Sequence, residues 1–160
     1  MISQSGQHSP SVVWPPTSIS IEAPIEQVWA TLMDESKLPL WFAGCPRLSY
    51  PDEETRRANP TGQVFILTFP NLGGPREVHG EYALFAPPDR VVMRFRDQET
   101  THLVTYALRS EGSRTTLSVT SESEYRSRVL RVIDRLLGGP RYRSVAENSL
   151  SRFKSLVERG

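Results

Sequence analysis

The chain has 160 residues, with 19 basic side chains against 18 acidic ones and a net charge of +1. That length suits one domain, and the near-neutral charge argues against a general nucleic-acid binder, which would carry a basic patch and a high pI. Apolar residues at 38% and charged residues at 23% exclude a wholly disordered chain, and the single cysteine, Cys45, excludes an internal disulfide.

Met1 to Ser11 is polar and lacks both a positively charged n-region and an apolar h-region, so no signal peptide is expected. No run approaches the roughly 18 apolar residues of a membrane span. With the lone thiol, these features lead us to expect a cytoplasmic protein. Residues 1–16 read as a tail or loosely held arm that ends at Pro15-Pro16, and residues 17–160 read as the folded domain. Thr17 to Glu22 alternates, with Ile19 and Ile21 on one face, which predicts a strand. Ala23-Pro24 opens a helix, where proline costs little because the first N–H has no partner anyway. Ile25, Val28, Trp29 and Leu32 share one face of it, and a second short helix covers Glu35 to Phe42. Strands follow at 47–50, 63–69, 76–85, 90–96, 101–109 and 114–122, with an exposed hairpin or loop over 51–62 and turns at Asn71-Leu72-Gly73-Gly74-Pro75, Pro87-Pro88-Asp89 and Glu111-Gly112-Ser113. Such short connections argue for an antiparallel meander. The end is helical: Tyr125 to Leu137, a break at Gly138-Gly139-Pro140, then Arg141 to Glu158 with Ala146, Leu150, Phe153 and Val157 on one stripe. A sheet with one apolar face needs a cover, and the last helix is the element long enough to supply it.

Several local patterns resemble the START/SRPBCC superfamily, in particular its polyketide cyclase/dehydrase branch. They are Ile19-Ser20-Ile21-Glu22-Ala23-Pro24-Ile25-Glu26-Gln27-Val28-Trp29, then Asp34, then Leu38-Pro39-Leu40-Trp41, the turn Pro87-Pro88-Asp89-Arg90 and the closing amphipathic helix. The resemblance covers roughly residues 17 to 158. It implies an α+β helix-grip fold, a curved antiparallel sheet of about seven strands around a long C-terminal helix, with two short helices after the first strand. It also implies a cavity between the sheet and that helix for an apolar molecule. The resemblance is specific for fold and poor for function, because members include carriers, receptors, cyclases and dehydratases.

Strands expose alternate residues to opposite faces. On 90–96, Val91, Met93 and Phe95 face inward and Arg94 and Arg96 outward. On 101–109 the inward set is His102, Val104, Tyr106 and Leu108, and on 114–122 it includes Leu117 and Val119. Strand 76–85 has two candidate phases. One turns Val78, Gly80, Tyr82 and Leu84 inward, as hydrophobic count favours. The other turns in His79, Glu81, Ala83 and Phe85, as the resemblance implies through the residue two before the Pro-Pro turn. In the second phase His79, Glu81, His102 and Tyr106 form an acid/base set. Ligand contacts are then expected from Trp41, Phe65, Phe85, Met93, Phe95, Val104, Ser149 and Phe153.

Each of these residues also has a plainer role. His79 and Glu81 suit an exposed strand face, His102 a strand-end position, Trp29 the core and Cys45 a structural place. Arg126, Arg128, Arg131 and Arg135 suit a solvated helix face. No metal cluster or phosphate-binding loop is present in the sequence, and neither metal nor cofactor is expected. The function this favours is cyclisation or dehydration of a polyketide-like or other carbonyl-containing intermediate by general acid/base chemistry. The alternative is a non-catalytic carrier or sensor of a hydrophobic ligand. The expected partner is a hydrophobic small molecule, with no nucleic acid and no membrane span, and a homodimer is compatible with the sequence.

Overall fold

A computed structural model describes residues 11–52, 60–96 and 100–160, without side chains for 134–140. The expected arm over 1–10 and the centre of the 51–62 loop lie outside the described residues. Chain order is β1 (Ser11–Val13), β2 (Thr17–Ile21), α1 (Ile25–Leu32), a 3₁₀ turn over Glu35–Lys37, α2 (Leu38–Trp41), β3 (Arg47–Ser49), β4 (Val64–Phe69), β5 (Arg76–Ala86), β6 (Arg90–Arg96), β7 (Thr100–Glu111), β8 (Arg114–Tyr125) and α3 (Arg128–Glu158). This is the helix-grip fold. The strands form one sheet in the order β1-β8-β7-β6-β5-β4-β3, with β2 also on β8, and every pairing is antiparallel. β1 and β2 share the free edge of β8, so part of the segment read as an arm is a strand, with Val12 buried.

Register explains the layers. Val91, Tyr106 and Val119 lie opposite one another across β6, β7 and β8, and all three are buried. Above them the C-terminal half of α3 buries Ala146, Ser149, Leu150, Phe153 and Val157 at helical spacing. Polar contacts fix its end to β2 and the residue after it: Lys154 Nζ donates to the Ser20 carbonyl at 2.7 Å and Glu158 Oε1 accepts from the Glu22 N–H at 2.9 Å. Leu150 and Phe153 are fully buried, whereas Trp29 is half-buried against Phe85. The N-terminal half of α3 leaves Val129, Val132 and Ile133 exposed.

Two boundaries and the place of Cys45 differ from those expected. The β7–β8 hairpin is longer, and Tyr125 closes β8 as a buried residue where a helix start was expected. Cys45 is exposed, with a φ of 51°. The helix does not break at Gly138-Gly139-Pro140, since α3 runs through them. Proline holds φ near the helical value, so the helix can continue through it, at a cost of about 3 kcal/mol for the missing N–H and the clash of its ring with the carbonyl four residues back.

The decisive local feature is in β5. Tyr82 lies opposite Met93 and Leu84 opposite Val92, so Ala83 is one residue too many for its partner strand. Such a bulge inverts the alternation of side chains on either side of it. Upstream, Gly80 and Tyr82 are buried and His79 is exposed; downstream, Leu84 is exposed and Phe85 packs on Tyr82 and Trp29. The two phases considered from the sequence are thus both present, one on each side of Ala83. The expected inward placement of His79 and Glu81 is corrected by this bulge.

Gly80 is required by its neighbours. A Cβ there would lie 2.7 Å from Phe65 Cζ and 2.9 Å from Phe95 Cε1, and Phe65 is wholly buried. Alanine normally gains about 0.5–1 kcal/mol over glycine in a strand, but crowding a packed core costs about 1–3 kcal/mol. Gly80→Ala should therefore lose about 1–2 kcal/mol of stability in urea denaturation. An unchanged or raised midpoint would show that the two rings have room to move apart.

Candidate ligand cavity

The sheet and the α1–α2 segment do not close on each other completely. The floor comes from Leu67 on β4, Tyr82 on β5, Val91, Met93 and Phe95 on β6, and Val104 and Tyr106 on β7. The roof comes from Leu32 and Met33 at the end of α1, Asp34 and Glu35 in the turn, and Leu38, Trp41 and Phe42 around α2, with Leu48 on β3 at the side. The space between them is about 70 Å³. The roof is local in origin: Asp34 Oδ1 accepts from the Ser36 N–H at 3.1 Å and its hydroxyl at 2.6 Å, which turns the chain from α1 into α2. The Ser36 hydroxyl bond also holds the Asp34 carboxyl below the ordinary carboxylate range.

No residue of α3 is in this wall among the described residues, which corrects the expectation of a cavity bounded by the last helix. The physical reason is aromatic filling. Phe153 from α3 packs edge-on to Trp41 with ring centroids 5.1 Å apart, and Trp41 also meets Phe42 and Tyr106 edge-on. The helix supports the roof from behind. Trp41 Nε1 is buried without a hydrogen-bond partner among the described residues.

The residues expected at the site separate into groups. Trp41, Met93, Phe95, Val104 and Tyr106 are in the wall. Phe65 and Phe153 are wholly buried behind it, and Phe85 packs on Trp29 and Tyr82. Ser149 accepts a hydrogen bond from the Ala43 N–H at 3.2 Å, which ties α3 to the chain after α2.

The four titratable residues do not converge. His79 is solvent-exposed beside Glu77 at 3.9 Å. Glu81 accepts from Arg94 Nη1 and lies 3.8 Å from Arg96, forming a cross-strand ion cluster on the outer face. His102 has the inward phase, but its Nδ1 is 2.8 Å from Ser123 Oγ and its ring packs on Tyr125. Four residues of strand, roughly 13 Å, separate it from Tyr106. Burial pushes the Tyr106 hydroxyl well above its ordinary pKa, so it remains a neutral phenol. Among the described residues no group of three or more His, Cys, Asp or Glu could hold a metal ion.

Sequence reasoning missed the polar end of the wall. Glu35 lines the cavity, Tyr50 hydrogen-bonds Glu35, and the Tyr50 and Tyr82 hydroxyls lie 3.3 Å apart. Burial and these neighbours keep the Tyr50 hydroxyl protonated. Tyr82 was visible as a member of the more apolar face of β5, but Tyr50 was read only as the end of the short strand 47–50 and Glu35 only as the start of the second helix, and neither reading gives a partner.

The sequence matches the family described as polyketide cyclase/dehydrase and lipid transport over residues 16–158. The chain belongs to that family. Within the START/SRPBCC superfamily, solved structures share its fold at low sequence identity. A conserved protein from Geobacillus kaustophilus is 18% identical, with 92% of this chain and 96% of that chain covered and a TM-score of 0.65. Norcoclaurine synthase from Thalictrum flavum, solved with dopamine and hydroxybenzaldehyde, is 12% identical over 99% of this chain and 95% of that one, at a TM-score of 0.65. The di-domain ARO/CYC StfQ from the steffimycin biosynthetic pathway is 15% identical over 93% of this chain but 51% of its own, at a TM-score of 0.66. No curated protein matches the sequence. Among the described residues no helix is long and apolar enough to cross a membrane.

The outer-face placement has a direct test. His79→Ala and Glu81→Gln should each change stability by at most about 1 kcal/mol, as expected for partly or fully exposed ion pairs. Both variants should bind an apolar probe with wild-type affinity. A large fall in affinity in either variant would return these residues to the site.

Proposed function

We propose that the protein binds a compact apolar molecule beneath the α1–α2 roof and acts as a carrier or sensor of that ligand. The observation that carries this reading is the composition of the wall. Its floor is Leu, Val, Met, Phe and Tyr, and the His79, Glu81 and His102 side chains expected to perform acid/base chemistry are outside it. A binding site needs a shaped apolar surface and a few orienting polar groups, whereas proton transfer needs a titrating group within hydrogen-bond reach of the substrate. The family description spans both cyclase/dehydrase enzymes and lipid transport, so family membership is compatible with either. Of the expected acid/base set only Tyr106 is in the wall, as a neutral phenol, and the wall carboxylates Asp34 and Glu35 belong to the turn at its polar end, an arrangement that favours transport or sensing over cyclisation or dehydration of a polyketide-like intermediate.

Size narrows the ligand. Cavities of roughly 150 Å³ hold one benzene ring, and this one is about 70 Å³. Entry of even a single ring therefore requires the wall to yield. Met33 in the roof and Met93 in the floor can do so, because unbranched thioether side chains repack at low cost. Toluene titrated into the folded protein should bind saturably and perturb Trp41 fluorescence. Met93→Trp fills the floor and should weaken that binding by about tenfold or more, about 1.4 kcal/mol, while the protein still unfolds cooperatively. Toluene binding that is absent in the wild type, or unaffected in Met93→Trp, would rule out this cavity as the ligand site.

A further inference from the structure

Trp41 brings an unanswered donor to the cavity wall. Its side chain is 2% exposed, and its Nε1 has no hydrogen-bond partner among the described residues. An indole N–H can only donate, so chemistry alone fixes the direction of any bond it makes. Buried donors left unpaired are rare, because the water they gave up on folding is not replaced. The other buried side-chain atoms without partners among the described residues belong to Gln63 and Tyr142, and neither residue is in this wall. The wall does hold two carboxylates, but Asp34 and Glu35 sit in the turn before α2 and neither accepts from Trp41.

The surroundings of the ring decide what could answer it. A buried water needs about three hydrogen bonds to be held. The rings packed on Trp41 are those of Phe42, Tyr106 and Phe153, and of these only Tyr106 carries a polar side-chain atom. A water among them would find the indole N–H and one phenol, short of that number. A molecule with an apolar body and a single acceptor atom has no such shortfall, because its remaining surface is satisfied by the apolar wall.

We propose that Trp41 is the orienting donor of the cavity, and that the ligand presents a hydrogen-bond acceptor, a carbonyl or ether oxygen or a ring nitrogen, to its Nε1 while an apolar body lies on the floor. This inference rests on the cavity being the ligand site. It also bears on selectivity: a hydrocarbon of the same shape fills the space but leaves the N–H unpaired.

Benzaldehyde and styrene test it, since they share one planar shape and differ by an oxygen in place of a methylene. Each is titrated into isotope-labelled protein while the indole N–H resonances of Trp14, Trp29 and Trp41 are followed by NMR. The Trp41 signal is the one retained in both Trp14→Phe and Trp29→Phe. With benzaldehyde it should move downfield and saturate, as a newly hydrogen-bonded N–H does, and with styrene it should not. Trp41→Phe removes the donor and keeps an aromatic ring. In that variant the ratio of benzaldehyde to styrene affinity should fall about fivefold or more, a comparison in which the different water solubilities of the probes cancel. If Trp41→Phe does not melt cooperatively, the wild-type indole shift decides alone. Benzaldehyde that fails to bind where styrene binds, or binds without moving the Trp41 signal, would show that Trp41 does not orient the ligand, and so would an affinity ratio unchanged in a folded Trp41→Phe; the apolar cavity would stand. A long-lived water found against the Trp41 N–H of the ligand-free protein by nuclear Overhauser contacts would overturn the inference as well. If toluene and styrene both fail to bind, the cavity reading falls and this inference with it.

Discussion

One unpaired residue in β5 governs the chemistry available inside this protein. With Ala83 bulged, Tyr82 and Phe85 both face the interior although three positions separate them, an arrangement that regular alternation forbids. The bulge lets the interior take two aromatic rings from one strand. It also leaves Glu81 opposite Arg94 on the outer face, where the partly exposed ion pair is desolvated less than it would be in the apolar wall. Without the extra residue, either Tyr82 or Phe85 would turn outward. In the phase that keeps Phe85 inside, an ionised Glu81 would enter an apolar wall, at a cost of several kcal/mol unless it were paired.

The second element of the design is the aromatic stack behind the roof. Trp41 is presented by a single turn of helix, too short to be stable by itself. Its position is secured from three sides by Phe42, Tyr106 and Phe153, and by the Ser149 hydroxyl that receives the Ala43 N–H. The long helix thus acts on the cavity through Trp41 rather than by touching its contents. This also accounts for the burial pattern of α3. The half that carries Ser149 and Phe153 is packed, and the half that carries Val129 and Val132 is exposed.

Much of the architecture was legible in the sequence. The strand-helix-helix opening, the meander and the apolar stripe from Ala146 to Val157 all follow from periodicity and turn chemistry, because those signals are local and repeat over several residues. The inward faces of β6 and β8 were legible for the same reason. Three features were not. The bulge at Ala83 is a property of two paired strands, and nothing in the run Glu81-Tyr82-Ala83-Leu84 marks which residue is the extra one. The continuity of α3 through Pro140 ran against a strong breaker signal, although proline's φ is itself helical. The polar chain of Glu35, Tyr50 and Tyr82 joins a turn, the end of β3 and the middle of β5, and such a cluster exists only after folding. Ser149 illustrates a partial reading: its inward place was read correctly, but its partner is a backbone N–H from the α2 region.

The order in which the parts of the cavity leave the ribosome sets a constraint of its own. The roof belongs to residues 32–42, the floor to residues 67–106, and the ring that backs Trp41 is Phe153, close to the end of the chain. β2 waits for its partner β8 over an interval of about a hundred residues, and the Glu22 N–H waits longer still for Glu158. Contacts so distant along the chain add loop-closure entropy before they return any stabilisation, and they slow folding. Trp41 therefore lacks the ring behind it until Phe153 has been made and the C-terminal half of α3 has docked. The roof over the cavity thus takes its final shape late in folding, set by a contact between residues more than a hundred positions apart.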